Sequence, residues 1–283
     1  MTISTEFLHQ LDKFSIILNK RVTSNFIGER KSKLTGRGLL FSDHGRYTFG
    51  DDFRTIDWKI YGRTENLYIK RYEEDRNLTV NVIIDFSASM NFGEKIKKYE
   101  FASMISLGFC HVALKNNEKF VLSTFSEKLA RFKPKRGVKQ LAAVVQYLNS
   151  KVPKGKTNFE ESLSKHKELI KDYSLIVIIS DFFYDLEEIK TILLKFKKNK
   201  IKLIQVIDKQ EKNFDLDGNY ELIDLETEES MKTYIDPLLK KKYFNQLEYH
   251  NNQIKKYCDS TGAEFYSVHS GEDIFEVFYK ILR

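Results

Sequence analysis

The sequence predicts an α/β fold on a doubly wound, mostly parallel sheet, extended by an N-terminal helix and a pair of strands. Two apolar runs, Val80–Ile84 and Ser174–Ser180, are each followed by an aspartate. Such continuous runs are typical of strands buried on both faces. Segments with helical spacing of apolar residues separate them, and alternating strands and helices indicate a parallel sheet. We expect the extension over residues 1–77 and the main domain over residues 78–283.

The extension is expected to begin with an amphipathic helix. Apolar residues from Ile3 to Leu18 recur at helical spacing, which predicts a helix that ends near Arg21 and packs on the main domain. The segment Gly28–Gly50 is interpreted as an ordered loop. The segments Phe53–Ile60 and Leu67–Tyr72 are predicted to be paired strands.

In the main domain, each predicted strand is an apolar or β-branched run, and each predicted helix has apolar residues at 3.6-residue spacing. Thr157 is placed to cap the third of these helices. The elements expected after Val80–Ile84 are, in order, a helix at Lys95–Leu114, strands at Lys119–Phe125 and Leu129–Phe132, helices at Val138–Leu148 and Asn158–Ile170, the strand Ser174–Ser180, a helix at Leu186–Lys197, a strand at Ile201–Ile207, an inserted hairpin at 208–236, a helix at Pro237–Ser260, a strand at Glu264–Val268 and a helix at Asp273–Leu282.

The composition is that of an ordinary globular protein, with 283 residues, 41% hydrophobic and 31% charged, and a net charge of +7. Lysine pairs such as Lys97-Lys98 are interpreted as solvated helix faces, so nucleic-acid binding is the lesser alternative. Cys110 and Cys258 form neither a metal nor a disulfide pattern, which favours a reducing compartment. No apolar stretch approaches the ~20 residues of a membrane span and no signal peptide is visible, so we expect a cytoplasmic protein.

Oxygen-bearing side chains follow both buried strands. Asp85 is followed by Ser87 and Ser89, Thr157 precedes a helix, and Asp181 follows the second strand. Ligands of open α/β sheets bind outside the carboxyl ends of the strands, so these side chains can converge. An all-oxygen set suits a hard divalent cation, Mg²⁺ or else Mn²⁺ or Ca²⁺. The alternative, in which Asp85 and Ser87 only cap the next helix, does not account for Asp181.

These five residues resemble the metal-ion-dependent adhesion site of von Willebrand factor A domains, which are Rossmann-type α/β domains. The matching pattern is Asp85-x-Ser87-x-Ser89, followed by Thr157 and Asp181. The resemblance implies that the two serines and the threonine bind the metal directly. It also implies that the aspartates bind it directly or through water.

Further upstream, the chain resembles domain-of-unknown-function family 58, a von Willebrand factor A-like family. The resemblance rests on Gly36-Arg37-Gly38, Arg46-Tyr47 and the segment Gly50-Asp51-Asp52-Phe53-Arg54-Thr55-Ile56-Asp57-Trp58, with Asp224-Leu225-Glu226-Thr227 inside the insertion. Members of the family are commonly encoded beside MoxR-type AAA+ ATPases. The resemblance therefore implies such an ATPase as a partner.

The Gly50–Trp58 segment has two interpretations. Its aspartates can accept backbone hydrogen bonds in a turn, with Arg54 paired to one of them and Trp58 packed inside. Alternatively, the segment is a partner surface, or a second carboxylate cluster for acid–base or metal chemistry. The residues concerned are Arg46, Tyr47, Gly50, Asp51, Asp52, Arg54, Asp57 and Trp58.

Three functions are weighed. The first is a non-catalytic, metal-dependent protein-binding module, an adaptor or co-chaperone of a MoxR-type ATPase, whose metal captures an acidic residue of that ATPase or of a client protein. The second is a Mg²⁺-dependent phosphohydrolase. Such an enzyme would have a second aspartate two residues after Asp85, but that position is Ser87, which cannot act as an acid at neutral pH, so no enzyme is expected. The third, nucleic-acid binding, rests on the basic charge balance alone.

Overall fold

The structure is a computed structural model that describes residues 6–14, 35–36, 40–73, 79–214, 216–227 and 229–282. The described residues form two compact units, one within 18–77 and a main unit within 1–17 and 78–283. Helix α1 (residues 6–14) thus groups with the main unit and not with the extension expected over residues 1–77. The reason is its apolar face, where Leu11 is buried and the rings of Phe7 and Phe14 contact Phe275. The predicted end of this helix and part of the Gly28–Gly50 segment, residues 28–34 and 37–39, lie outside the described residues. The loop expected over this segment is wrong for Leu40–Arg46, which forms a strand.

In the residues that the structure describes, the smaller unit consists of an antiparallel three-stranded sheet and one short helix. Its strands are β1 (Thr35–Gly36), β2 (Leu40–Arg46) and β3 (Tyr68–Glu73), and β3 lies between the other two. A 3-10 turn at Phe53–Thr55 leads into helix α2 (Trp58–Thr64). The strand predicted at Phe53–Ile60 is therefore wrong, because Asp52 and Asp57 each cap a helical turn there.

The main unit is built on a six-stranded sheet, in which only the pair at one edge is antiparallel. Its strands are β4 (Thr79–Asp85), β5 (Lys119–Phe125), β6 (Leu129–Arg131), β7 (Ser174–Ser180), β8 (Lys200–Ile207) and β11 (Glu264–His269). Their order is β11-β8-β7-β4-β5-β6, with β6 antiparallel to β5. The order reverses between β7 and β4, which is the switch point of a doubly wound sheet. The predicted fold class is confirmed.

Helices cover this sheet and bury its apolar strands. They are α3 (Lys98–Lys115), α4 (Val138–Ser150), α5 (Phe159–Glu168), α6 (Leu186–Phe196), α7 (Lys209–Asn213), α8 (Pro237–Thr261) and α9 (Ile274–Leu282). A Cβ atom on Gly108 of α3 would lie 2.1 Å from the ring of Phe278, so glycine is what lets α3 and α9 approach closely. Within the described segments, no helix has both the length and the apolar character that crossing a membrane requires.

A hairpin projects between α7 and α8. Its strands β9 (Gly218–Ile223) and β10 (Ser230–Ile235) pair with each other in a two-stranded sheet of their own. Most of its side chains are exposed, whereas Ile235 at its base is buried. The hairpin is shorter than the predicted 208–236 because the first part of that segment forms α7.

Candidate metal site

Asp85, at the carboxyl end of β4, is fully buried and surrounded by donors. Its Oδ1 accepts the backbone N–H of Ser87 at 2.8 Å, and its Oδ2 accepts the hydroxyls of Ser180, at 3.0 Å, and Tyr184. Burial and then repulsion from Asp181 raise the pKa of Asp85 to about 6, although the Tyr184 hydrogen bond opposes the shift. Since the charged form is disfavoured here, a cation beside it would be strongly stabilising.

Ser87 and Ser89 lie in the loop and 3-10 turn that follow β4. Their hydroxyl oxygens are 3.0 Å apart and so point to a common region. Neighbouring ligand atoms at about 2.1 Å from an octahedral Mg²⁺ are themselves about 3.0 Å apart. The distance between the Ser87 and Ser89 hydroxyl oxygens therefore equals the distance between neighbouring ligands of an octahedral ion. The two side chains need little movement to bind an ion together.

Thr157 belongs to a second loop that is tied to the first through the backbone. The N–H of Ala88 donates to the carbonyl of Gly155 at 3.0 Å, and that of Lys154 donates to the carbonyl of Phe86 at 3.1 Å. The hydroxyl of Thr157 donates to a carboxylate from the hairpin, Oε1 of Glu226, at 3.0 Å. Thr157 does not cap α5 as predicted, since the residue at the N-cap position is its neighbour Asn158.

Asp181 follows β7 and is paired with a buried ammonium. Its Oδ2 accepts from Lys98 Nζ at 2.9 Å, and the same Nζ donates to Glu211 Oε1 at 3.0 Å. Lys98 is 1% exposed, so its interpretation as part of a solvated lysine face is wrong. Burial alone would lower the pKa of Lys98, but the attraction of Asp181 and Glu211 outweighs it and the pKa is raised.

The backbone bends sharply after Asp181. Phe182 has φ 56, in the left-handed region that is costly for a residue other than glycine. Its ring is buried in the main core, its N–H donates to Ser180 Oγ at 3.1 Å, and its carbonyl accepts from His250 Nε2 at 2.8 Å. The packing that holds this strained turn also fixes the direction in which Asp181 leaves the sheet.

The donor set fits a hard cation in its chemistry. The Lys98 ammonium is paired with two carboxylates, Asp181 and Glu211, and the Asp85 carboxylate is close enough to Asp181 to be repelled by it, so the described groups carry more negative than positive charge. In the parts of the chain that the structure describes, no group of three or more His, Cys, Asp or Glu residues is placed to hold a metal. A metal at this site would therefore depend on the hydroxyl ligands, as an oxygen-binding ion such as Mg²⁺ can.

The extension motif forms turns and helix caps within its own unit. Asp51 accepts from the N–H and hydroxyl of Thr48 at 2.9 and 2.8 Å. Asp52 caps the 3-10 turn, and Asp57 caps α2 while also binding His44 Nε2 at 3.0 Å. These contacts confirm the interpretation of the aspartates as acceptors of backbone hydrogen bonds. The expectation that Trp58 packs inside is wrong, since it is 62% exposed.

The other motif residues are spread along the same turns. Arg46 ends β2, the N–H of Tyr47 donates to the carbonyl of Leu67 at 3.0 Å, and Gly50 has φ 109. Arg54 contacts Asp52 through its backbone N–H at 3.0 Å, and its guanidinium carbon lies 5.8 Å from the centre of the Phe53 ring. The contact between Arg54 and Asp52 is thus a main-chain hydrogen bond and not the pairing of the guanidinium with a carboxylate that was expected.

Sequence reasoning did not identify several side chains that complete the site, namely Lys98, Ser180, Tyr184, Glu211 and Glu226. Glu226 did carry a signal, because it lies in the Asp224–Thr227 stretch that resembles the family. Ser180 and Tyr184 flank Asp181 closely enough to be considered with it. Lys98 carried no local signal, because its acidic partners are far away in sequence.

The comparisons with known proteins identify a family. The family model described as "Protein of unknown function DUF58" matches residues 43–253. This chain belongs to the DUF58 family. It is also similar to the uncharacterized proteins Rv1480 of Mycobacterium tuberculosis and Mb1516 of Mycobacterium bovis. Each is 21% identical over 253 residues, covering 87% of this chain and 79% of the relative.

Two solved bacterial proteins have low similarity to this DUF58 chain, namely the conserved hypothetical protein BatB and the pilus adhesin SpaC. BatB from Bacteroides thetaiotaomicron is 13% identical with a TM-score of 0.45, covering 72% of this chain and 97% of BatB. The pilus adhesin SpaC from Lactobacillus rhamnosus GG is 11% identical with a TM-score of 0.46, covering 74% of this chain and 30% of SpaC. No shared site or ligand follows from similarities this low.

Proposed function

We propose that this chain is a non-catalytic, metal-dependent protein-binding module. A divalent cation, Mg²⁺ or a similar ion, would be held by Asp85, Ser87, Ser89, Thr157 and Asp181. The observation that carries the proposal is the buried Asp85 carboxylate, whose pKa is raised to about 6 and which is followed by the paired hydroxyls of Ser87 and Ser89. Mg²⁺ keeps open positions when protein ligands are few, and an acidic side chain of a partner can fill one of them.

The contacts of Asp85 support binding over catalysis. Its carboxylate oxygens accept hydrogen bonds from Ser87, Ser180 and Tyr184, which hold the carboxylate in place and reduce its strength as a nucleophile. The residue two positions later, Ser87, cannot donate a proton as a general acid at neutral pH. A phosphohydrolase reaction would need both roles.

The partner we propose is a MoxR-type AAA+ ATPase, or a client protein that the two handle together. The support is the family resemblance alone, because DUF58 relatives are commonly encoded beside such ATPases. A pull-down with the ATPase tests this choice. We expect capture in Mg²⁺, loss in EDTA, and loss in the Asp85→Asn protein. Equal capture in all three conditions would exclude a metal-dependent contact.

The metal itself is tested by thermal unfolding of the native chain, of Asp85→Asn and of a matched surface variant, Asp172→Asn. At 100 times its Kd, a bound ion stabilises the native state by about 2.7 kcal/mol, so Mg²⁺ or Mn²⁺ should raise the Tm of the native and Asp172→Asn proteins. Asp85→Asn should not respond. Without metal it should be as stable as the native protein or more so, because charging the buried Asp85 at pH 7 costs about 3 kcal/mol relative to an ordinary aspartate.

A further inference from the structure

In the turn of the β9–β10 hairpin, Glu226 is partly buried whereas the neighbouring Leu225 is exposed. Asp224, Leu225 and Thr227 are exposed, with Leu225 at 45%, whereas Glu226 between them is half-buried. Hydrophobic burial alone would favour the opposite arrangement. A specific contact must therefore hold Glu226 inward.

That contact is bidentate and falls on a predicted metal ligand. Glu226 Oε1 accepts the Thr157 hydroxyl at 3.0 Å, and Oε2 accepts the Thr157 N–H at 3.2 Å. The turn is shaped to present this side chain. Asp224 Oδ1 accepts the N–H groups of Glu226 and Thr227 at 2.7 and 3.2 Å, and the N–H of Asp224 donates to the carbonyl of Glu229 at 2.9 Å.

The separation of the oxygens within this pair fits two neighbouring ligands of one metal ion. Thr157 Oγ1 and Glu226 Oε1 are as far apart, at 3.0 Å, as the hydroxyl oxygens of Ser87 and Ser89. Neighbouring ligands of an octahedral ion have about this separation. We propose that Glu226 is an internal ligand of the metal site. It occupies the coordination position that an acidic side chain of a partner would have to take over. This inference rests on the proposed function, since it requires a metal at the site.

The hairpin is well suited to release Glu226. Its two strands pair with each other and not with the six-stranded sheet, and an isolated two-stranded hairpin is only marginally stable. Withdrawal of its turn therefore leaves the main sheet intact. A partner carboxylate would compete with Glu226, and the hairpin would move outward as the partner binds.

The experiment uses Mn²⁺ alone as the probe on the full chain. The variants are Glu226→Ala and a matched control from the same turn, Glu229→Ala, whose side chain is exposed. Mn²⁺ affinity is measured by electron paramagnetic resonance, and the number of metal-bound waters by water-proton relaxation. Hydrogen exchange of the hairpin is followed with and without Mn²⁺.

In Glu226→Ala we expect Mn²⁺ affinity to fall roughly 10-fold and the bound ion to gain one water. Mn²⁺ should slow exchange in the turn of the native and Glu229→Ala proteins, but not in that of Glu226→Ala. An unchanged water count, whether or not affinity falls, would overturn Glu226 as a ligand while leaving the metal site in place. A native protein that binds no Mn²⁺ would overturn the proposed function and this inference together.

Discussion

At the residue scale, Lys98 and Ser180 set the geometry between the two strand-end aspartates. Transfer of an ammonium out of water costs several kcal/mol, and Asp181 and Glu211 offset that cost. Because Lys98 binds Oδ2 of Asp181, the other oxygen is left on the side of Ser180. The Ser180 hydroxyl donates to Asp85 Oδ2 at 3.0 Å and lies 3.5 Å from Asp181 Oδ1, so it is placed between the two carboxylates.

Replacing Lys98 by methionine tests this arrangement. We expect Lys98→Met to lower the free energy of unfolding by about 3–5 kcal/mol, because it leaves the buried Asp181 carboxylate and the half-buried Glu211 carboxylate without their cation. Urea unfolding measures the loss. Lys95→Met, at an exposed position on the same approach to α3, should change stability by no more than about 0.5 kcal/mol. Similar losses in the two variants would show that the buried pair is not the cause.

At the element scale, helix α2 is capped at its N-terminus by one aspartate. Asp57 Oδ1 accepts the N–H groups of Lys59 at 3.0 Å and Ile60 at 3.4 Å, two of the donors that the first turn of a helix leaves unsatisfied. Burial acts to raise the pKa of Asp57, but the hydrogen bonds from His44, Lys59 and Ile60 together hold it below its ordinary value. The carboxylate is therefore fitted to its role as a cap.

Replacing Asp57 by alanine should loosen α2 while leaving the main unit intact. We expect the amides of Trp58–Thr64 to exchange several-fold faster in Asp57→Ala, whereas Asp57→Asn, which can still accept the backbone N–H groups, should stay close to the native protein. Hydrogen exchange followed by mass spectrometry measures both units in one experiment. Equal exchange rates of the α2 amides in the two variants would show that packing, and not the Asp57 cap, stabilises this helix.

Elements that depend on local pattern could be predicted, and those that depend on distant contacts could not. β4 and β7 were predictable because an apolar run bounded by an aspartate is a local signal. The Phe53–Ile60 segment looks like a strand in composition, but its caps override that preference. The partners of Lys98 and Thr157 were beyond reach, because the Lys98–Asp181 and Thr157–Glu226 contacts join residues 83 and 69 positions apart.

At the scale of the whole molecule, the core contains a histidine that must stay neutral. His166 on α5 is fully buried, and Ser123 Oγ on β5 lies 3.3 Å from its Nδ1. Burial, followed by repulsion from Arg131, lowers the pKa of His166 to about 3. The unfolded chain takes up a proton here below about pH 6.5, whereas the folded chain does not until far lower pH. The contribution of the neutral His166 to stability is therefore fully present above pH 6.5 and is lost as the pH falls towards 3.

His166→Gln should reduce this pH dependence. Between pH 7.5 and 5.0, we expect the native protein to lose about 2 kcal/mol more unfolding free energy than the variant, because the glutamine cannot take up a proton. Urea unfolding at the two pH values measures the difference, and carboxylates elsewhere contribute equally to both proteins. Parallel losses would mean that His166 is protonated in the folded state.

The exposure of Trp58 has a spectroscopic consequence. The chain has one tryptophan, and it lies in the unit of residues 18–77 with 62% of its surface exposed. Its emission should have the long wavelength of an indole in water and should report on the surroundings of Trp58. The six-stranded sheet contains no tryptophan, so its unfolding is followed directly by circular dichroism. A protein that covers the extension would shift the emission to the blue.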